Sequence, residues 1–263
     1  MTLQASDSAP GVAVLPPVEV VNGQGKGPFV LVCDHASNHL PPAYGTLGLS
    51  EADLKAHIAW DPGALGVAIA LSKLMDSPLV HSCVSRLIID CNRDTLAPDL
   101  IPPVSELTGI PGNQNLDDTQ RAERIALSHT PFHSTIDAVI AQRLAEGVAT
   151  AVVSIHTYTP VYKGVSRPWE IGLIYDADTS LAGPALAALK ADGHLTVGDN
   201  EPYSPADGVY YTLMRHGQDL GLKSLMIEIR NDEVASPEAE LKWAERLAPI
   251  LMQALATAGG ANA

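Results

Sequence analysis

The stretch P-F-V-L-V-C-D-H-A-S-N, residues 28–38, decides how the rest of the chain reads. Its first part, PFVLVC, is an unbroken apolar run of strand length, rich in valine, which is the signature of a strand buried on both faces. It stops abruptly at Asp34 and His35, with Asn38 close behind. Working outward, the same pattern recurs at PLVHSC (78–83), RLIIDC (86–91), TAVVSI (150–155), EIGLIY (170–175) and LKSLMIEI (222–229). The first two of these lie so close in sequence that they predict a hairpin, and hence an antiparallel component in the sheet.

Between these runs the chain reads as helix. Ser50 and Asp53 have capping-box spacing, with Asp in place of Glu at the third position. A second helix is expected from Pro62 to Met75, with the proline in the tolerated first turn. Residues 118–146 read as a helix bent at Pro131, 180–193 as one stopped by Gly193, 208–220 as one ending at Gly221, and 237–257 as a closing amphipathic helix. Residues 94–117, with four prolines and no period, predict a long functional loop bordering the site. Strands alternating with helices give an α/β class, a three-layer α/β/α domain around a central mixed sheet. No repeat or Gly/Ser linker divides residues 1–263, so a single catalytic domain is expected, with 1–20 and 258–263 as flexible termini.

Composition narrows the function. A length of 263 residues buries a sizeable core, and 46% hydrophobic against 17% charged residues is a globular balance. The net charge of −14 argues against nucleic acid and anionic membranes as partners, so an anionic small-molecule substrate must be met by locally placed arginines. Three cysteines, all in apolar runs, read as buried thiols in a reducing compartment. The N-terminus lacks the basic and apolar regions of a signal peptide, and no apolar run is long enough for a membrane helix, so a cytoplasmic location is expected.

Ligands of open α/β sheets bind beyond the carboxyl ends of the strands. The residues there are Asp34, His35 and Asn38; Ser85 and Arg86; Asn92, Arg93 and Asp94; His156 and Tyr158; and Glu228, Arg230 and Asp232. A hydrolytic zinc site needs three N/O ligands and one open position. His35 and His156, at the ends of two core strands, suit it, although either alone reads equally well as a hydrogen-bonded core histidine. Asp61, in A-W-D-P-G, is either a third ligand or a helix N-cap. Glu228, between isoleucines, is either a general base with a raised pKa or the ion-pair partner of Arg230 on the same strand face. Arg86, Asn92 and Arg93 can clamp a carboxylate. His57 is close enough to Asp61 to orient it or touch substrate. His129 and His133 are spaced i, i+4 but lack the H-E-x-x-H glutamate and straddle Pro131, which leaves His133 a substrate-side role. His81, His194 and His216 read as peripheral or structural. There is no G-x-S-x-G elbow and no phosphate loop.

The ordered segments V-C-D-H-A-S-N-H-L-P, H-I-A-W-D-P-G-A, S-R-L-I-I-D-C-N-R-D, H-T-P-F-H, S-I-H-T-Y and I-E-I-R-N-D resemble the N-formylglutamate amidohydrolase family over about residues 28 to 255. That family is similar in fold to the zinc carboxypeptidases and aspartoacylases, a hydrolase-like mixed sheet between helical layers. The carboxypeptidase order of His-x-x-Glu, Arg, Asn-Arg, a lone His and a base Glu is followed by His35, Arg86, Asn92-Arg93, His156 and Glu228. Asn38 stands where that pattern has a Glu ligand, and the resemblance supplies Asp61 instead. It implies a metal, zinc or another divalent ion, on His35, Asp61 and His156, with Glu228 as base. Arg86, Asn92, Arg93 and Arg230 would then hold substrate carboxylates, with Asn38, His57 and His133 nearby. The implied reaction is hydrolysis of an N-formyl or other short N-acyl amino acid. A carboxypeptidase or deacylase with another substrate, and a metal-free binding protein for an acidic ligand, are the alternatives.

Overall fold

The computed structural model describes residues 15–260. A seven-stranded mixed sheet is built from β1 (Val18–Val21), β2 (Phe29–Cys33), β3 (Leu79–Ser82), β4 (Ala151–Tyr158), β5 (Ile171–Ile174), β6 (Val197–Asp199) and β7 (Ser224–Arg230), in the order β1-β3-β2-β4-β7-β5-β6. β3, β2, β4 and β7 run parallel. β1 lies antiparallel on β3, and β5 antiparallel on β7 with β6 parallel to it. The sheet is mixed as expected, but the antiparallel pairs are not the predicted hairpin. Residues 18–20, expected in the flexible lead-in, are part of an edge strand. The expected flexibility of residues 1–14 and 261–263 lies outside the described residues.

RLIIDC is not a strand. After Ser85, whose hydroxyl accepts from the Leu87 N–H and donates to the Ala59 carbonyl, the chain coils, and Leu87, Ile88 and Ile89 all sink into one apolar cluster with Leu47, Leu100 and Ile110. A short buried apolar run does not distinguish a strand from a packed turn.

Strand parity places the layers. In β2, Phe29, Leu31 and Cys33 face the cluster that buries α2 (Ala64–Leu74), α5 (Ala182–Ala191) and α7 (Pro237–Gly260). Val30 and Val32 face the opposite cluster, which holds Phe132, Ile136 and Ile140 of α4 (Thr130–Ala145) and Leu213 of α6 (Tyr211–His216). The remaining helices are α1 (Glu51–Lys55), begun by the expected Ser50–Asp53 capping box, and α3 (Asp118–Arg124). A π turn over Ile125–His129 joins α3 to α4, so the 118–146 helix is interrupted before Pro131 rather than bent at it. α2 starts at Ala64, after Gly63 in the left-handed conformation, two residues later than predicted. α7 continues three residues beyond its expected end.

The 94–117 loop is ordered by buried polar groups. Arg124, 3% exposed, donates to Ile88 O, Gly112 O and Asn113 Oδ1, and the Asn113 amide donates to Leu87 O and Pro102 O. This pins the loop, with its short ribbon Val104–Ser105/Thr108–Gly109, over the carboxyl end of the sheet. No helix among the described residues is long and apolar enough to cross a membrane.

Gly172 in β5 lies opposite Glu228, and a Cβ there would sit 1.8 Å from the Glu201 carbonyl oxygen. Gly172→Ala must therefore move backbone, and is expected to cost about 1–3 kcal/mol in denaturant unfolding. Unchanged stability would contradict the close approach.

Candidate active site

Past the point where α4 and α6 cover the sheet, the same parity carries polar residues. Ser154 and His156 of β4 share a face, as do Met226 and Glu228 of β7, and His156 and Glu228 are register neighbours. They meet the residues leaving β2. His35 Nδ1 lies 3.3 Å from Asp61 Oδ2, and His156 Nδ1 lies 2.9 Å from the same oxygen. All three side chains are buried.

The outer nitrogens fix both rings. His35 Nε2 is 2.7 Å from Asp90 Oδ1. His156 Nε2 is 2.8 Å from Ser154 Oγ and 3.2 Å from Asp34 Oδ2. Asp34 also accepts from the Ser154 and Thr212 hydroxyls. Arg86 donates to Asp90 Oδ2 at 2.6 Å and to Asp61 Oδ1 at 3.4 Å. A ring whose Nε2–H is held by a carboxylate turns the Nδ1 lone pair inward, the usual outer support of a metal-ligating histidine. Here two such lone pairs and a carboxylate oxygen converge, a set that repels unless a cation or protons lie between them. His35, Asp61 and His156 offer ligand atoms all within 4.8 Å of one another. The donor set and its supports thus fit a divalent metal ion. A second group of this kind, Glu19, His81 and Cys83, lies on the β1–β3 edge.

Charge tells the same story. Burial opposes ionisation of Asp34, but the hydrogen bond and charge of His156 outweigh it and hold the carboxyl at about 2. Asp61 is buried too, yet the charges and hydrogen bonds of His35 and His156 hold it well below the usual range. Asp90 is likewise held down, by Arg86 and His35 against its burial. Conversely, burial disfavours the imidazolium of His156, while Asp34 and Asp61 raise its pKa far above normal; His35 is raised by Asp90 and Asp61 against burial and Arg86. Three carboxylates therefore face Arg86 and two proton-retaining imidazoles. A divalent ion replacing both protons leaves the net charge of this cluster unchanged.

Glu228 is different. Burial pushes its carboxyl up to about 7, with His156 pulling down and Asp61 adding to the rise. Its Oε2 is buried without a hydrogen-bond partner. It borders a cavity of about 230 Å³ together with His35, Asp61, Arg86 and His156. A carboxyl near neutral pKa at the wall of a cleft is suited to moving a proton.

His57, Asn92 and Arg93 also line the cavity, but each is engaged. His57 Nε2 lies 3.0 Å from Glu106 Oε2 and does not orient Asp61. The Asn92 amide donates to Val209 O and accepts from Thr212 N–H, so it ties α6 to the site. Arg93 pairs with Asp99 at 2.7 Å. Three expected substrate residues do not line the cavity. Asn38 donates to Leu54 O and fastens the loop to α1. His133 is buried between α4 and α6, donating to Cys91 O with its Nδ1 2.7 Å from His216 Nε2, and burial lowers its pKa to about 3. Arg230 pairs with Asp232, Glu233 and Glu170, not with Glu228. Asp34, a strand-exit residue with no expected role, and Asp90, not expected at the site, both support the triad; each is a carboxylate that closes an apolar run. Glu106 and Tyr203 come from loops and Tyr162 from a two-residue ribbon strand, Val161–Tyr162, and none of them carries such a signal.

The family model for N-formylglutamate amidohydrolase matches residues 27–235. Among solved structures, gene product Atu2144 from Agrobacterium tumefaciens is 44% identical with a TM-score of 0.90, covering 92% of this chain and 96% of its own. N-formylglutamate amidohydrolase from Ralstonia eutropha is 16% identical with a TM-score of 0.69, covering 94% of this chain and all of its own, a likeness of fold. No curated protein matches.

Because the imidazoles retain protons in the metal-free cluster, metal binding releases protons and tightens as pH rises. Titration calorimetry with zinc in buffers of different ionisation enthalpy is expected to show this release, and His156→Ala to abolish binding. Zinc affinity independent of pH, or unaffected by His156→Ala, would contradict the assignment.

Proposed function

The chain belongs to the N-formylglutamate amidohydrolase family, and we propose that it hydrolyses the amide bond of an N-formyl or other short N-acyl amino acid, N-formylglutamate being the model substrate, with a divalent metal ion on His35, Asp61 and His156. The carrying observation is the buried Glu228 carboxyl, with one oxygen unpartnered, bordering the same cavity as that triad. Two imidazoles and one carboxylate favour zinc. When bound, the ion supplies Lewis acidity toward the water and the acyl oxygen.

The protein's own groups do the rest. Glu228 takes a proton from the attacking water, whose oxygen bonds to the acyl carbon. The C–N bond then breaks, and the proton passes from Glu228 to the departing nitrogen, leaving formate or another carboxylate and the free amino acid. Arg86, the cation joined to the triad through Asp61 and Asp90 and partly open to the cavity, holds the substrate's α-carboxylate. Asp34 and Asp90 keep the two imidazole rings in place. Three free, buried cysteines support a reducing, cytoplasmic setting.

Glu228→Gln is expected to retain zinc and to lower kcat by about 10²-fold or more, as loss of a general base does. In the unmodified enzyme kcat/KM is expected to fall on the acid side of neutrality, as the Glu228 carboxyl, pushed up to about 7 by burial, takes up a proton and can no longer act as base. Near-normal turnover by the variant on a panel of N-formyl, N-acetyl and peptide substrates would rule out the role of Glu228.

A further inference from the structure

The two histidines of H-T-P-F-H do not line the cavity, yet both reach toward it through main chain. His129 ends the π turn and His133 lies one helical turn further on, in α4. His133 Nε2 is 2.9 Å from Cys91 O, and His129 Nε2 is 2.9 Å from Arg93 O. A carbonyl oxygen only accepts, so each Nε2 carries its proton and donates. The i, i+4 pair thus grips the carbonyls on either side of Asn92 instead of an ion. Burial lowers the His133 pKa to about 3, so the ring is neutral and its Nδ1 holds a lone pair. That lone pair accepts from His216 Nε2–H at 2.7 Å. The His129 and His216 rings lie 4.4 and 5.0 Å from the His133 ring, centre to centre, and hold it in place.

The peptide that joins Cys91 to Asn92 is the link to the site. Its C=O accepts from His133, and its N–H donates to Asp90 Oδ1 at 2.9 Å. The same oxygen lies 2.7 Å from His35 Nε2. A line of hydrogen bonds therefore runs from His216 through His133, the peptide and Asp90 to His35. The peptide is planar, so its C=O cannot turn away without taking the N–H with it. Members of such a chain also polarise one another: a donor on the C=O makes the N–H a stronger donor toward Asp90. On the other Asp90 oxygen, Arg86 is the partner.

We propose that His133 is a positioning residue for the metal centre: through the Cys91–Asn92 peptide it fixes Asp90 Oδ1, and Asp90 fixes the His35 ring. His129 is its companion on the Arg93 carbonyl, and His216 sets the His133 tautomer. The effect on a metal ion rests on the function proposed above; the orienting of His35 does not.

Zinc affinity, read by competition with a chromophoric chelator, and the d–d absorption of the cobalt-loaded protein test this. His133→Leu is expected to bind zinc about tenfold more weakly, the low end of what loss of a ligand's support costs, because Arg86 still holds Asp90. Its cobalt bands are expected to shift. In proton–nitrogen correlation spectra of the metal-free protein, its His35 ring signals are expected to move as well. His133→Gln, which carries an N–H near the Nε2 position, is expected to stay within about threefold of wild type in zinc affinity, the bond being kept. His133→Asn, an amide too short to reach Cys91 O, is expected to behave as His133→Leu and serves if that variant does not fold. Ile140→Ala, buried on the same helix, is the control: it is expected to lower stability and to leave zinc affinity and cobalt bands as in wild type. A wild type that takes up neither metal would remove the metal assignment, and the His35 signals of the metal-free protein would then decide the inference alone. Unchanged affinity, bands and His35 signals in His133→Leu would overturn it. So would a loss that His133→Gln does not recover and Ile140→Ala shares.

Discussion

The Oδ2 atom of Asp61 is the point on which this structure turns. Two imidazole nitrogens approach it, from His35 at the end of β2 and His156 near the end of β4. Such a convergence of buried charge holds together only if every outer valence is met, because an unmatched buried charge costs several kcal/mol. The outer shell meets that demand in layers. Asp90 and Asp34 take the far sides of the rings, Arg86 bridges Asp90 and Asp61, and the Ser154 and Thr212 hydroxyls complete Asp34. The polar centre therefore reaches from β4 to α6, and its geometry is rigid because each member fixes the next.

That rigidity sets the contrast with Glu228. In the same low-dielectric wall, its neighbours satisfy one another and leave it no proton donor. The result is three carboxyls held ionised and one held near neutrality, separated by environment alone. Environments that push titratable groups apart in this way divide the roles of ligand support and proton carrier.

Much of this was legible in the residues. Apolar runs ending in His35 and His156 marked both strand exits, whereas the pairing of Glu228 with His156 is set by the β4–β7 register, which no single strand's period reveals. Spacing leaves Asp61 as either a third ligand or a helix N-cap, since a residue before Pro-Gly serves a helix start equally well; the convergence of two distant strand ends on its carboxylate is what distinguishes the two. Arg230 shares the parity of Glu228 but lies beyond the end of the cavity, where Asp232 and Glu233, just ahead in sequence, capture it. RLIIDC failed as a strand because three consecutive apolar residues fit a packed turn under the 94–117 loop.

The central claim is that His35, Asp61 and His156 share one divalent cation. Anomalous diffraction recorded on either side of the zinc absorption edge, from crystals grown with zinc and no chelator, tests it most directly. The account predicts a single dominant peak within bonding distance of His35 Nδ1, Asp61 Oδ2 and His156 Nδ1. No peak there, or density confined to Glu19, His81 and Cys83 at the sheet edge, would contradict it.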